Sequence, residues 1–253
     1  MGTYAAMVLA GGAARRMGGI DKPARPVGGR PMRDRVLAAV GDATPRVLVG
    51  AVDAVPAGVL VVREDPPGGG PVAAAAAGLA LLDPGVSVVA LLAADLPLLT
   101  RAAIGELLKH LDLENPDTEP AGGPAPASGG PAPASGGPAP AGGGPSPVPS
   151  ASGLARATPA GSGLDGERGP DGVCFVDGNG RRQSLCGVWR VAALRTAVHR
   201  LTVERGGSLS GASIRALLAG LVVREVAWSG EGPPPWFDCD TDEDVRRAEE
   251  WAR

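Results

Sequence analysis

The chemistry is concentrated early in the chain. Residues 9–22 read LAGGAARRMGGIDK, a glycine-rich turn after a short apolar run, with Arg15, Arg16 and Lys22 close behind. Glycines at such a turn let backbone N–H groups approach phosphate oxygens. The arginines and the lysine add charge that suits a polyphosphate. The spacing is neither GxGxxG nor GxxxxGK[ST], so it supports neither a dehydrogenase nor a P-loop assignment. Lysine is scarce, 2 residues against 22 arginines, which makes Lys22 hard to dismiss as background. The same holds for Gln183, the single glutamine. Carboxylates stand at Asp65, at Asp95 just past an apolar run, and in the acidic stretch from Asp238 to Asp244.

These groups need a frame. Tyr4–Ala10 is a nearly continuous apolar run ending at Gly-Gly and reads as a buried strand. Residues 31–40 carry Met32, Val36, Leu37 and Val40 at helical spacing, with Pro31 suited to a first turn. Residues 46–49 and 59–62 are short β-branched runs. Val72–Leu82 is an Ala-rich helix opening at Gly-Pro, and Val86–Ala93 is a second buried strand. Thr100 is placed to cap a helix to about His110, with Ile104, Leu107, Leu108 and Leu111 on one face. Alternating strands and helices joined by short loops predict βαβ units and a mostly parallel sheet. The glycine-rich turn then lies where open α/β sheets take their ligands, beyond a strand's carboxyl end. Later, 173–176 and 183–190 read as a hairpin around Asp177-Gly-Asn-Gly. Helical patterns follow at 191–201 and 213–221, with a strand at 222–226 between them and a terminal helix. Thr241 and Asp244 are spaced as a capping box for that last helix.

Composition excludes several classes. Of the 55 residues from Pro116 to Pro170, 27 are Gly or Pro, with GGPAPAS at 122–128 and again at 129–135. Such a tract has little to bury and is expected to be disordered, a loop expansion within the body or an interaction tether. Net charge is -3 with pI near 5.5, so there is no overall basic footprint for nucleic acid. No apolar run reaches 18 residues, so no membrane span is expected. The N-terminal run is too short for a secretory signal core, and Ala6 stands where myristoylation needs Ser or Thr. Three isolated cysteines, Cys174, Cys186 and Cys239, form no CxxC pair and suggest a reduced, cytoplasmic protein. His110 and His199 have no ligand-spaced partners and read as surface residues. Arg181-Arg182 lies in a turn, where it could meet an anionic acceptor.

The ordered set LAGGxxxRMGxxDK at 9–22, Asp65…Gly70-Pro71…Gly78-Leu79, Asp95-Leu-Pro97, Gln183…Arg190 and Phe237-Asp-Cys-Asp240-Thr-Asp-Glu-Asp resembles the MobA-like nucleotidyltransferases, relatives of molybdenum cofactor guanylyltransferase. The resemblance covers most of 1–111 and, more weakly, 172–253. It implies a three-layer, Rossmann-like α/β fold with helices on both faces of the sheet. Residues 1–253 would form one nucleotidyltransferase domain with 116–170 as an insert. It also implies transfer of GMP from GTP to a molybdopterin-type molybdenum cofactor, with Mg²⁺ and release of pyrophosphate. Under that resemblance Leu9, Ala10, Gly11 and Gly12 would meet the nucleotide, and Arg16 and Lys22 would neutralise its phosphates. Asp65 would contact the nucleoside and Asp95 would hold Mg²⁺. Gly70 would begin a helix near the phosphates, Gln183 would lie toward the acceptor, and Asp240 would assist metal or acceptor. A phosphate acceptor is already ionised at neutral pH, so neither a covalent nucleophile nor a general base is needed.

Two departures from the family pattern stand out. Asp238 and Asp240 occupy positions where Asn is usual. Gly50-Ala51 stands where the guanylyltransferases often have Asn, which opens the choice of base. The alternatives are a cytidylyltransferase of the same fold using CTP, and a non-catalytic nucleotide-binding partner of molybdoenzyme maturation. Retention of both Lys22 and Asp95 speaks against the second.

Overall fold

The structure is a computed structural model, describing residues 3–11, 22–51, 55–112 and 169–253. The expectation for the Gly/Pro-rich tract therefore falls, up to Arg168, outside the described residues.

Nine strands and six helices are described. In chain order they are β1 (Ala5–Leu9), β2 (Pro26–Val27), β3 (Arg30–Pro31), α1 (Met32–Ala39), β4 (Arg46–Val49), β5 (Val59–Val62), α2 (Pro71–Ala80), β6 (Val88–Ala93), α3 (Arg101–Asp112), β7 (Gly172–Val176), β8 (Arg182–Arg190), α4 (Val191–Glu204), α5 (Ile214–Leu218), β9 (Val223–Ala227) and α6 (Asp242–Trp251). A single 3-10 turn, Lys22–Ala24, precedes β2. Seven strands form one sheet in the order β5-β4-β1-β6-β8-β7-β9. Neighbours pair in parallel except where β8 meets β6 and β7, so β8 alone runs against the others. This is the mostly parallel α/β sheet that the alternation of elements predicts.

The strands are apolar on both sides because both faces are covered. Ala6 and Val8 of β1 and Ala90 and Leu92 of β6 join a core with α1 and α3. The alternate residues Ala5, Met7, Val89 and Leu91 join a second core with α2, α4 and α5. Close approach decides one glycine: a Cβ at Gly78 of α2 would lie 2.3 Å from Met7 Sδ, so any side chain there would push α2 off β1.

Local signals are realised where expected. The Thr100 hydroxyl accepts from the Ala103 N–H at 3.2 Å, and Asp177 Oδ1 accepts from the Asn179 and Arg181 N–H groups in the β7–β8 turn. Thr241 and Asp244 form the reciprocal capping box of α6. Two details differ. The pattern at 213–221 yields only the five residues of α5, because the chain turns extended at Ala219 and left-handed at Gly220. The small antiparallel pair β2–β3 is too short to leave a periodic trace. It joins α1 and α6 in a third cluster of Val27, Met32, Leu98, Cys239, Val245 and Ala248, which fixes the C-terminal segment against the start of the site.

Candidate active site

The carboxyl ends of β1 and β6 and the first residues of β8 meet at one end of the central strands, and a cleft of about 1260 Å³ opens there. That exceeds what one drug-sized ligand needs and has room for two. Leu9, Ala10, Gly11, Lys22 and Asp95 line it, together with Pro71, the first residue of α2.

Lys22 is the organising group. Its Nζ donates to Asp95 Oδ2 and to Asp240 Oδ1, both at 2.6 Å. The lysine side chain is 7% exposed, Asp95 23% and Asp240 72%. The Lys22–Asp95 pair is thus sheltered, while Asp240 retains access to another ligand. Burial alone would lower the Lys22 pKa, but the hydrogen bonds to Asp240 and Asp95 outweigh it and hold the ammonium above its ordinary value. The Asp238 carboxyl is pushed up by partial burial and by the charge of Asp240.

Three elements hold this cluster. Asp95 follows β6, and its carbonyl accepts from the Cys239 N–H at 3.3 Å, tying the C-terminal segment to the Asp95 loop. The capping box of α6 fixes the chain immediately after Asp240. An Arg25–Asp242 ion pair joins the Lys22 turn to that same helix start. Arg35 of α1 donates to the carbonyl of Pro97 at 2.8 Å and steadies the loop from the other side.

Among the described residues here one lysine meets three carboxylates, an acidic excess that suits a cation. Among the described residues no group of three or more His, Cys, Asp or Glu side chains is arranged to hold a metal. Mg²⁺ commonly takes only one or two protein carboxylates and fills its shell with water and phosphate. Asp95 and Asp240 fit that requirement.

Of the residues that the sequence motifs nominate, Leu9, Ala10, Gly11, Lys22, Asp95, Gln183 and Asp240 come together around the cleft. Gly12 and Arg16 lie outside the described residues. Gly70 caps α2 at a φ of 94°, and it is Pro71 that reaches the cleft. Gln183 also braces its own hairpin, donating to Asp177 Oδ2 at 3.2 Å. Asp65 is exposed and lines no part of the cleft. The carboxylate that reaches the glycine turn is its neighbour Glu64. That side chain is 5% exposed, with Oε1 taking the Gly68 N–H at 3.0 Å and Oε2 buried without a partner. A Cβ at Gly11 would sit 3.3 Å from Glu64 Oε1. Asp65 thus stands apart from the cleft lining, and Glu64 is the buried carboxylate beside Gly11.

Gly50 has a structural cause. Its φ is 147°, and a Cβ there would lie 3.0 Å from the carbonyl carbon of Ala10, so a side chain at 50 would collide with the turn that carries Gly11. The cysteines are packing residues. Burial pushes the Cys174 thiol up to about 11 and the Cys239 thiol up to about 12, so neither offers a thiolate nucleophile.

Comparison with known proteins agrees with this geometry. The family model for the MobA-like NTP transferase domain matches residues 6–134, just over half of the chain. The chain belongs to that family, and its body is a nucleotidyltransferase-family domain. No curated protein sequence matches it significantly. Solved structures share the fold. The 2-C-methyl-D-erythritol 4-phosphate cytidylyltransferase of Thermus thermophilus aligns with a TM-score of 0.58 at 15% identity, over 99% of each chain. The molybdopterin-guanine dinucleotide biosynthesis protein A of Archaeoglobus fulgidus aligns with a TM-score of 0.56 at 17% identity, over 97% of each chain. Among the described residues no helix is long and apolar enough to cross a membrane.

Proposed function

We propose that the protein transfers GMP from GTP to a molybdopterin-type molybdenum cofactor and releases pyrophosphate. The observation that carries this reading is Lys22 held between Asp95 and Asp240 at the mouth of the glycine turn, in a chain of the MobA-like family. Membership narrows the reaction to nucleotidyl transfer, and the Archaeoglobus relative points to the acceptor.

In this reading the triphosphate lies over Gly11 and the first turn of α2, where backbone N–H groups face its oxygens. Asp95, helped by Asp240, would hold Mg²⁺, which supplies charge neutralisation on the phosphates. An acceptor phosphate oxygen attacks the α-phosphorus in line. The new P–O bond forms as the bond to the bridging oxygen breaks, and the electron pair leaves with pyrophosphate. Lys22 offsets charge building on the phosphates, and Arg16, six positions earlier, would share that role. The protein supplies position and electrostatics rather than a covalent intermediate.

Gly50 favours a second reading, cytidylyl transfer, because no side chain at that position can read the base. The test is pyrophosphate release from the purified protein with Mg²⁺, a molybdopterin-type acceptor and each of the four NTPs in turn. Release with GTP alone supports guanylyl transfer. Release with CTP moves the function to the cytidylyl branch. Release with none, when a working guanylyltransferase succeeds in the same assay, overturns both.

A further inference from the structure

Lys22 takes one oxygen from each of two carboxylates, Oδ2 of Asp95 and Oδ1 of Asp240, at an equal 2.6 Å. Its ammonium therefore stands between the same two side chains whose chemistry fits a divalent cation. Both carboxylates are held from behind. The Asp95 carbonyl accepts from the Cys239 N–H, and the α6 cap follows Asp240 directly. The root of the lysine is held as well, because Lys22 opens a 3-10 turn in which Pro23 is also buried. What can move at low cost is the lysine's flexible four-carbon stem. Among the described residues no other cation pairs with either carboxylate. Arg25 pairs with Asp242, and Arg182 in the β7–β8 turn pairs with Glu225 at 2.6 Å.

We propose that Lys22 and a divalent cation compete for the Asp95–Asp240 pair, and that a bound polyphosphate decides the competition by offering the ammonium another anion. This rests on the proposed function for the two ligands and deepens it with an order of binding. A divalent ion entering alone is opposed twice. It meets an ammonium at close range, where like charges repel. By taking the carboxylates it also leaves a side chain only 7% exposed charged and without a partner. A polyphosphate removes both obstacles, since Nζ swings to a phosphate oxygen and the carboxylates pass to the metal. Metal and polyphosphate then raise each other's affinity by the same factor.

The first test watches Lys22 itself. The chain has two lysines, Lys22 and the exposed Lys109 of α3, so protein made with isotope-labelled lysine shows two side-chain signals by nuclear magnetic resonance, assigned with Lys109→Arg. Mg²⁺ alone should leave the Lys22 signal in place. GTP or CTP in the presence of EDTA should shift it and leave Lys109 unmoved. The second test reads the metal. Mn²⁺ binding without nucleotide, followed by electron paramagnetic resonance, should tighten about tenfold in Lys22→Met and in Lys22→Gln. Arg25→Gln, which also removes a nearby positive charge, should tighten it far less. A Lys22 signal that follows Mg²⁺ alone, or that ignores every NTP, overturns the proposal. So does Mn²⁺ binding that is unchanged or weaker in both Lys22 variants while their circular dichroism matches the parent, because a lysine that only braces the carboxylates would hold the metal site better than its replacements. A nucleotide-driven shift of Lys22 without pyrophosphate release from any NTP supports the exchange and overturns the proposed reaction instead.

Discussion

The two halves of the cleft carry opposite charge. Around Lys22, three carboxylates outnumber one ammonium. Around the β7–β8 turn, Arg181, Arg182 and Arg215 outnumber Glu225. Both halves face anions in the proposed reaction, yet among the described residues only one is positive. Under the proposed function the negative half would be completed by a metal ion, and the positive half would need none. Affinity on the first side should therefore follow Mg²⁺ concentration. On the second it should follow ionic strength.

The sharpest break of this comparison is Asp95→Ala. Pyrophosphate release should fall by on the order of 10²–10³-fold, comparable to losing one preorganised electrostatic group. The circular dichroism spectrum should be unchanged, and activity near the unsubstituted level would remove Asp95 from the metal site. Next is Asp240→Ala, expected to raise the Mg²⁺ needed for half-maximal rate by about tenfold, with Asp240→Asn recovering part of it through its remaining oxygen. A Mg²⁺ titration superimposable on the parent curve would assign Asp240 to holding Lys22 alone.

The pH dependence follows from the same cluster. The Asp238 pKa is raised, so on acidification it takes up its proton before an ordinary aspartate does, and the charge excess that attracts the cation shrinks. Apparent Mg²⁺ affinity should fall on the acid side, and Asp238→Asn should flatten that limb. The raised Lys22 pKa works at the other end. Its contribution to stability is fully present below the ordinary lysine value of 10.5 and is lost as pH climbs through the elevated one. Denaturant midpoints should hold steady through neutrality and fall in alkali, where the buried cysteines and Tyr4 also titrate, and Lys22→Met should lessen the part of the fall above 10.5.

The smallest effect is expected in the positive half. Glu225→Gln frees Arg182 from a half-exposed ion pair, a change of up to about 1 kcal/mol. Acceptor KM should fall by about two- to fivefold and become more salt-sensitive, while Mg²⁺ dependence stays as it was. A change in Mg²⁺ dependence would show that the two halves are not separate.

Much of the fold could be read from local patterns because local physics decides it. The apolar runs of β1 and β6, the Thr100 cap, the Asp177 turn and the Thr241–Asp244 box all depend on residues within a few positions of one another. The site was legible where a motif names a residue type that the background lacks, as with Lys22, or where a carboxylate closes an apolar strand, as with Asp95. Local pattern does not distinguish Glu64 from Asp65, two adjacent acids on one strand exit, because which one is buried depends on where Gly11 lies. Trp236 gave no local signal, since its packing depends on Phe175, sixty-one positions earlier. The shortness of α5 follows from a left-handed glycine that a periodic pattern passes over.

The bridge from Lys22 to Asp240 has a consequence for synthesis. The two residues are 218 positions apart. At roughly 5–20 residues per second, translation takes on the order of 10–40 s to cover that distance. During that interval β1, its glycine turn and Asp95 have left the ribosome, but the second carboxylate has not been made. A nascent chain can therefore shape the nucleotide side of the cleft well before it can hold Lys22 from both sides, and the completed charge cluster marks a chain that has been translated almost to Arg253.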